Sequence, residues 1–116
     1  MSEYTIYHNP RCSKSRQTLA ILQENGIEPE IIYYLETPPN IENLKSLAGK
    51  LGLQPRDLLR KGEDEYKRLG LKNPDLSETD ILDAMARHPK LIERPIVVKG
   101  NNAILGRPPE NVIDLI

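Results

Sequence analysis

Two groups of β-forming residues, one near each end of the chain, restrict this sequence to a small number of folds. In the first group, Tyr4–His8 and Glu30–Leu35 are predicted strands, and the residues from Cys12 or Ser13 to about Asn25 are a predicted helix. Strand, helix and strand in this order form a βαβ unit with a right-handed crossover. The continuous apolar character of the second segment predicts a buried strand that is parallel to the first.

The second group of β-formers predicts a hairpin. Pro95–Lys99 and Asn102–Leu105 are predicted strands that flank Gly100–Asn101, a dipeptide typical of tight turns. The residues from Pro109 to Ile116 then predict a last helix, so this end of the chain has the order ββα. A βαβ half joined to a ββα half is the thioredoxin-like arrangement, in which a four-stranded mixed sheet has helices on both faces.

The residues between the two halves predict a helical insert over about residues 40–89. Asn40 and Ser77 are typical N-cap residues, and each precedes apolar side chains at helical spacing. A chain of 116 residues is long enough to bury one hydrophobic core. We therefore expect a single α/β domain over residues 1–116, with the insert inside it.

The overall charge and apolar pattern exclude several classes of protein. The formal net charge is −1, so no global field steers the chain towards nucleic acid or a membrane. The sequence contains no run of 18 apolar residues, so we expect no membrane span. The first residues lack the basic segment and apolar stretch of a secretory signal, which predicts a cytoplasmic protein. A monomer is the expected state.

Cysteine and histidine are scarce in this chain. Cys12 is the only cysteine, which excludes an internal disulfide and a cysteine-rich zinc site. The two histidines, His8 and His88, lie far apart in the sequence, so we expect no metal site.

The surroundings of Cys12 predict a reactive thiolate. The residue follows a predicted strand and opens a predicted helix, where the helix dipole and free backbone N–H groups favour an anion. Arg11, Lys14 and Arg16 add positive charge, and no acidic residue occurs between positions 3 and 24. Such surroundings favour the thiolate, which is the nucleophilic form of cysteine.

Three neighbouring features bear on this thiolate. Ser15 follows Cys12 by one helical turn, so its hydroxyl is able to hydrogen-bond the sulfur. His8, at the end of the first strand, is close enough to help stabilise the thiolate. Pro95 opens the first hairpin strand, where a thioredoxin-like domain has a cis proline facing its reactive cysteine, so we predict a cis bond there.

Arg60, Arg94 and Arg107 each lie at the end of a predicted element. A guanidinium group suits an oxyanion because its planar fork donates paired hydrogen bonds. Two of the three precede prolines, where the chain is extended. Spacing alone does not distinguish these arginines from the other basic residues of the chain.

Several separate motifs occur in an order that is far more specific than Cys-x-x-Ser alone. They are His8-Asn9-Pro10-x-Cys12-x-x-Ser15-Arg16, Tyr34-Leu35-Glu36-x-Pro38-Pro39, Leu58-Leu59-Arg60-Lys61, His88-Pro89-x-Leu91-Ile92-x-Arg94-Pro95-Ile96-Val97-Val98 and Gly106-Arg107-Pro108. On these motifs, essentially the whole chain resembles the glutaredoxin-coupled arsenate reductases, which are bacterial thioredoxin-fold enzymes. The resemblance is to the shorter members of that family.

The resemblance implies a function and a set of site residues. It implies that Cys12 is the nucleophile that attacks arsenate, that His8 and Ser15 support its thiolate, and that arsenite is the product. It also selects Arg60, Arg94 and Arg107 as the oxyanion-binding residues. Glutathione is the implied cosubstrate and glutaredoxin the implied partner, and neither a metal nor a bound organic cofactor is needed.

Three other classes of protein share features with this sequence. A monothiol glutaredoxin-like enzyme would use Cys12 and Ser15 for deglutathionylation, and would act on glutathione mixed disulfides without the three arginines. A regulator of the Spx type shares this fold and binds RNA polymerase, but redox-sensing members usually have Cys-x-x-Cys, and a shared fold is weak support. A low-molecular-weight phosphatase site needs arginine six positions after the cysteine, where this chain has Thr18, so that function is rejected.

Overall fold

A four-stranded mixed sheet is built from both ends of the chain in the computed structural model, which describes residues 3–116. Met1 and Ser2, part of the N-terminal segment considered above, lie outside the described residues. The strand order is β2-β1-β3-β4, with β1 parallel to β2 and antiparallel to β3, and β3 antiparallel to β4. The strands are β1 (Tyr4–Tyr7), β2 (Glu30–Ile32), β3 (Ile96–Lys99) and β4 (Asn102–Leu105). This topology confirms the predicted mixed sheet.

Two compact units divide the described chain. One unit contains the chain as far as Thr37 together with Arg94–Ile116, and the other is Pro38–Glu93. The second unit therefore begins earlier and ends later than the helical insert that the sequence predicts over residues 40–89.

One hydrophobic core joins the helices of the first unit to its sheet. The helix α1 (Ser13–Glu24) contributes Leu22, and the C-terminal 3₁₀ helix Pro109–Leu115 contributes two further side chains. Burying a large aliphatic side chain contributes about 1.5–3 kcal/mol, so this cluster is a main source of stability for the unit. Its members are Tyr4, Ile6, Leu22, Val97, Val112 and Leu115.

The second strand differs from its prediction over Glu30–Leu35. It is shorter, it lies at the edge of the sheet, and its side chains are exposed or half-buried rather than buried. The partner strand β1 ends at Tyr7, and the last ladder bond runs from the N–H of His8 to the carbonyl of Ile32 (2.9 Å). The chain then turns at Tyr33, whose carbonyl accepts hydrogen bonds from two later N–H groups.

The second unit contains the predicted capped helices. The helix α2 (Ile41–Leu51) has Asn40 as its N-cap, and the helix α4 (Glu78–Arg87) begins with a capping box formed by Ser77 and Asp80. Gly52 follows α2 with a φ of 70°, a conformation that glycine adopts without strain. The remaining elements are a 3₁₀ helix over Pro55–Leu58, α3 (Asp64–Arg68) and a 3₁₀ helix over Pro89–Leu91.

Within residues 3–116, no helix combines the length and the apolar character needed to cross a membrane.

Candidate active site

A short loop between β1 and α1, residues 8–12, contains Cys12 and is called the cysteine loop below. Hydrogen bonds to Asn9 fix the conformation of this loop. The side-chain oxygen of Asn9 accepts a hydrogen bond from the N–H of Arg11 (3.0 Å), and its carbonyl accepts one from the N–H of Cys12 (3.0 Å). Nη1 of Arg16 donates a further bond to the carbonyl of Pro10 (2.9 Å). The backbone that leads into Cys12 is therefore held by local hydrogen bonds at three points.

Cys12 is the N-cap residue of α1. Its backbone is extended (φ −93°, ψ 122°), and its carbonyl accepts the first helical bond from the N–H of Arg16 (3.0 Å). The side chain is half-buried and makes no capping hydrogen bond, and the first turn of α1 contains no acidic residue. The thiol therefore lies at the positive end of a helix dipole, where backbone N–H groups favour an anion.

His8 and Ser15 form a buried hydrogen-bonded pair beside the loop. Nδ1 of His8 lies 2.6 Å from Oγ of Ser15, and that oxygen also accepts a bond from the N–H of Asn9 (3.1 Å). Burial lowers the pKa of His8 from its usual 6.5, and the nearby positive charge of Arg16 lowers it further, so the ring is neutral near pH 7. The role of His8 and Ser15 in supporting the thiolate stays a prediction.

The strand register brings the hairpin to the same end of the sheet as this loop. Tyr7, the last residue of β1, is opposite Ile96, and Ile96 is opposite Leu105. The residues just before β3 and just after β4 therefore lie at the sheet end from which the cysteine loop leaves β1. Those residues include Arg94 and Arg107, two of the predicted oxyanion-binding arginines.

Arg94 and Arg107 are in direct contact at this end of the sheet. Nη1 of Arg107 donates a hydrogen bond to the carbonyl oxygen of Arg94 (3.2 Å). Nε of Arg94 is buried and has no hydrogen-bond partner among the residues that the structure describes. A buried donor without a partner is unfavourable, so an oxyanion in reach of this N–H group would be bound favourably.

The Arg94–Pro95 peptide bond is cis, the conformation expected for Pro95, and the Arg107–Pro108 bond is cis as well. The N–H of Gly106 donates to the carbonyl of Pro95 (3.0 Å). A Cβ atom at Gly106 would lie only 2.4 Å from Oγ1 of Thr18 and 2.8 Å from Cγ of Pro95. The sequence pattern does not predict this close packing of three segments, because Thr18 on α1 and Gly106 become neighbours only in the folded chain.

Arg60 belongs to the second unit, where two carboxylates hold its side chain. Nη1 lies 2.8 Å from Oε1 of Glu63, and Nε lies 3.4 Å from Oε1 of Glu93. The backbone on either side is fixed too, because the N–H of Arg60 donates to the carbonyl of Leu91 (2.8 Å) and that of Glu93 donates to the carbonyl of Leu58 (2.7 Å). Neither acidic partner of Arg60 is predicted by the sequence pattern.

No group of three or more histidine, cysteine, aspartate or glutamate residues is arranged to hold a metal ion in the described part of the chain.

Comparisons with known proteins agree on one family. The sequence model of the ArsC family matches residues 7–115. The uncharacterized protein YfgD of Escherichia coli is 53% identical over 112 residues, which cover 96% of this chain and 94% of that protein. An arsenate reductase of Neisseria meningitidis is 50% identical over 113 residues, 97% of each chain. The solved structure of an arsenate reductase from Vibrio cholerae matches with a TM-score of 0.96 at 53% identity, again over 97% of each chain.

Proposed function

The chain belongs to the ArsC family, and we propose that it is an arsenate reductase in which Cys12 is the nucleophile and glutathione, with glutaredoxin, supplies the electrons. The observation that carries this proposal is the position of Cys12. Its half-buried thiol stands at the N-terminus of α1 without a capping bond, next to basic residues, in a chain several of whose relatives are named arsenate reductases.

Arsenate is a tetrahedral oxyanion, and the site offers two kinds of donor to it. The first-turn N–H groups of α1 favour negative charge next to Cys12. Nε of Arg94 is a buried donor that has no hydrogen-bond partner among residues 3–116, and Arg107 is hydrogen-bonded to the same residue. We assign oxyanion binding to Arg94 and Arg107 on this geometry and to Arg60 on the resemblance.

The proposed reaction begins with the Cys12 thiolate attacking arsenic. An S–As bond forms, and one arsenate oxygen leaves as water after it has been protonated. The arginines offset the negative charge on the remaining oxygens, in the manner of an oxyanion hole. At this stage arsenic is still pentavalent, and both electrons for its reduction have yet to arrive.

Glutathione supplies the reducing step. Its thiolate attacks Sγ of Cys12, so an S–S bond forms while the S–As bond breaks and its electron pair leaves with arsenic as arsenite. Two thiols have then been oxidised to one mixed disulfide, which balances the two-electron reduction of arsenic. A glutaredoxin thiol next removes the glutathione by exchange and regenerates Cys12. An external reductant is required because the chain has no second cysteine.

We further propose that the enzyme acts in the cytoplasm as a monomer, with glutathione as a cosubstrate and no bound metal or organic cofactor.

A coupled assay tests this function. Arsenate, glutathione, glutaredoxin, glutathione reductase and NADPH are combined, and the oxidation of NADPH is followed by absorbance. Wild-type protein is expected to consume NADPH only when arsenate is added, and Cys12→Ser is expected to show no arsenate-dependent turnover, because serine lacks a nucleophilic sulfur. Ser13→Ala, an exposed neighbour on the same helix, is the matched control.

The same assay separates the proposal from the alternative enzyme. If a glutathione mixed disulfide replaces arsenate as the efficient substrate, and if Arg94→Gln leaves that activity unchanged, the protein is a deglutathionylating enzyme. Absence of turnover with either substrate, together with co-purification of RNA polymerase, would instead favour a regulator.

A further inference from the structure

A cavity of about 250 Å³ lies beside the cysteine loop, and neither the thiol nor the three arginines line it. One wall is the loop that begins at His8 and includes Arg11, and the other is the turn from Tyr33 to Glu36. The N–H of His8 donates to the carbonyl of Ile32 (2.9 Å), which ties the loop to the end of β2. The carbonyl of Tyr33 accepts a bond from the N–H of Glu36 (2.9 Å), which closes the turn. Backbone hydrogen bonds therefore hold both walls.

The two walls carry opposite charges that are not paired with each other. Arg11 lies on one wall and Glu36 on the other, and both residues are exposed. Within the described chain, neither side chain takes part in an ion pair. A cation and an anion that line one cavity at a distance match a ligand that carries both charges, with each end facing its complement.

The apolar part of the cavity is unusually exposed for this protein. Tyr33 and Leu35 retain 43% and 36% of their accessible surface, although the chain has few exposed large hydrophobic residues. The ring of Tyr33 is also held against His8, with ring centroids 5.9 Å apart at an angle of 58°. An aromatic ring in contact with His8, on the same wall as a leucine, provides the apolar contact that a small peptide needs in addition to its charged ends.

We propose that this cavity is the binding subsite for glutathione, an inference that rests on the proposed function. Glutathione carries two carboxylates and one ammonium group, and its middle residue carries the thiol. Glu36 pairs with the ammonium of the γ-glutamyl group, Arg11 pairs with a carboxylate, and Tyr33 with Leu35 contacts the carbon chain. Arg11 directly precedes Cys12, and consecutive Cα atoms are about 3.8 Å apart, so a tripeptide bound here has its thiol within reach of the nucleophile.

Binding is tested without turnover by titrating S-methylglutathione, whose alkylated sulfur cannot react, into the wild-type protein. Backbone amide shifts in NMR spectra are expected to change most at Arg11, Tyr33, Leu35 and Glu36. Glu36→Gln is expected to weaken binding of this probe by about threefold or more, because a neutral amide loses the charge pairing. Glu28→Gln removes the same charge from an exposed position of the same unit and is expected to leave the affinity unchanged.

Steady-state kinetics of the same variants provide a second, independent test. Glu36→Gln is expected to raise KM for glutathione by a similar factor while KM for arsenate stays unchanged. Amide shift changes centred on Ile96 and Arg107, or an affinity that is the same for Glu36→Gln and wild type, would overturn the subsite. If the protein reduces arsenate but the probe does not bind in the cavity, the subsite is wrong and the proposed function stands. If the probe binds in the cavity but the protein does not reduce arsenate, the proposed function is wrong and the binding site stands.

Discussion

Oγ of Ser15 lies 2.6 Å from Nδ1 of His8, and both side chains are almost fully buried. The same oxygen accepts the N–H of Asn9, so one serine on the first turn of α1 satisfies two polar groups from the loop that follows β1. The position of Cys12 therefore depends on a hydrogen-bonded connection that does not involve its own side chain.

Replacement of this serine is expected to destabilise the protein. Ser15→Ala leaves the buried N–H of Asn9 and Nδ1 of His8 without their partner, which costs about 1–3 kcal/mol. For a domain of this size, that loss lowers Tm by about 3–6 °C per kcal/mol, as measured by thermal unfolding followed by circular dichroism. Ser13→Ala changes an exposed serine on the same turn and is expected to change stability by less than about 0.5 kcal/mol. Equal Tm values for the two variants would contradict the structural role of the pair.

The neutral His8 ring makes stability depend on pH. Burial and the charge of Arg16 lower the pKa of His8 below 6.5 in the folded protein, whereas in the unfolded chain the pKa is near 6.5. As the pH falls through 6.5, the unfolded chain therefore takes up a proton that the folded protein does not, and the free energy of unfolding decreases until the folded pKa is passed.

Urea unfolding measures this effect. Between about pH 7.5 and about pH 5.5, the wild-type protein is expected to lose more stability than His8→Asn, in which the amide keeps a polar atom near the position of Nδ1 but does not titrate. An identical pH dependence in the two proteins would show that another group is responsible. Arg16→Gln, which removes the second cause of the shift, is expected to raise the pKa of His8 in an NMR titration.

Arg94 is expected to matter for catalysis far more than for folding. Its Nε is buried and has no hydrogen-bond partner in the described part of the chain, so Arg94→Gln removes no known hydrogen bond of that atom, and the variant is expected to unfold at nearly the wild-type temperature. Loss of one donor to a charged transition state lowers kcat/KM for arsenate by about 10²–10³-fold, measured in the coupled assay.

The matched control for Arg94 is Arg87→Gln, because Arg87 is an exposed arginine whose one ion pair among the described residues is with Asp83 on the same helix. Its kcat/KM is expected to equal that of wild type. Arg60→Ala tests the assignment made on the resemblance and is expected to lower turnover as well. If either Arg94→Gln or Arg60→Ala retains wild-type turnover, that arginine does not bind the oxyanion.

The packing around Gly106 predicts that this position accepts no side chain. In Gly106→Ala, the new Cβ would lie 2.4 Å from Oγ1 of the buried Thr18 and 2.8 Å from the ring of Pro95, so the backbone must shift. Such overpacking costs about 1–3 kcal/mol, seen as a lower midpoint in denaturant unfolding. Gly49→Ala is the control, because within residues 3–116 no atom apart from its chain neighbours and the nearby backbone of its own helix lies within 4 Å of a Cβ there, and the helix gains propensity. A Gly106→Ala midpoint at or above that of wild type would show that the contact yields easily.

Local chemistry made much of this structure predictable. Asn40 and Ser77 cap their helices because each side-chain oxygen satisfies a first-turn N–H group, a short-range effect that the sequence records. The turn at Gly100–Asn101 is also local, and so is the position of Cys12 between a strand and a helix.

The features that the sequence did not reveal depend on contacts between distant residues. Tyr33–Leu35 has the composition of a strand, but the length of its partner β1 decides where β2 ends. The approach of Gly106 to Thr18 and the pairing of Arg60 with Glu93 follow from the fold rather than from spacing. For the same reason, spacing alone could not select Arg94 and Arg107 before the register of β1 with β3 was known.

The pairing of β1 with β3 aligns Tyr4 with Lys99, so nearly the whole chain lies inside the loop that this single contact closes. The entropy of loop closure rises slowly with length, by about 0.6 kcal/mol for each doubling, but it must be overcome before the pairing of β1 with β3 returns any free energy. If Pro38–Glu93 becomes ordered first, much of that loop is no longer flexible, and the two ends of the chain meet after a shorter search. The contact order of this topology therefore governs how fast the protein folds more than how stable it is.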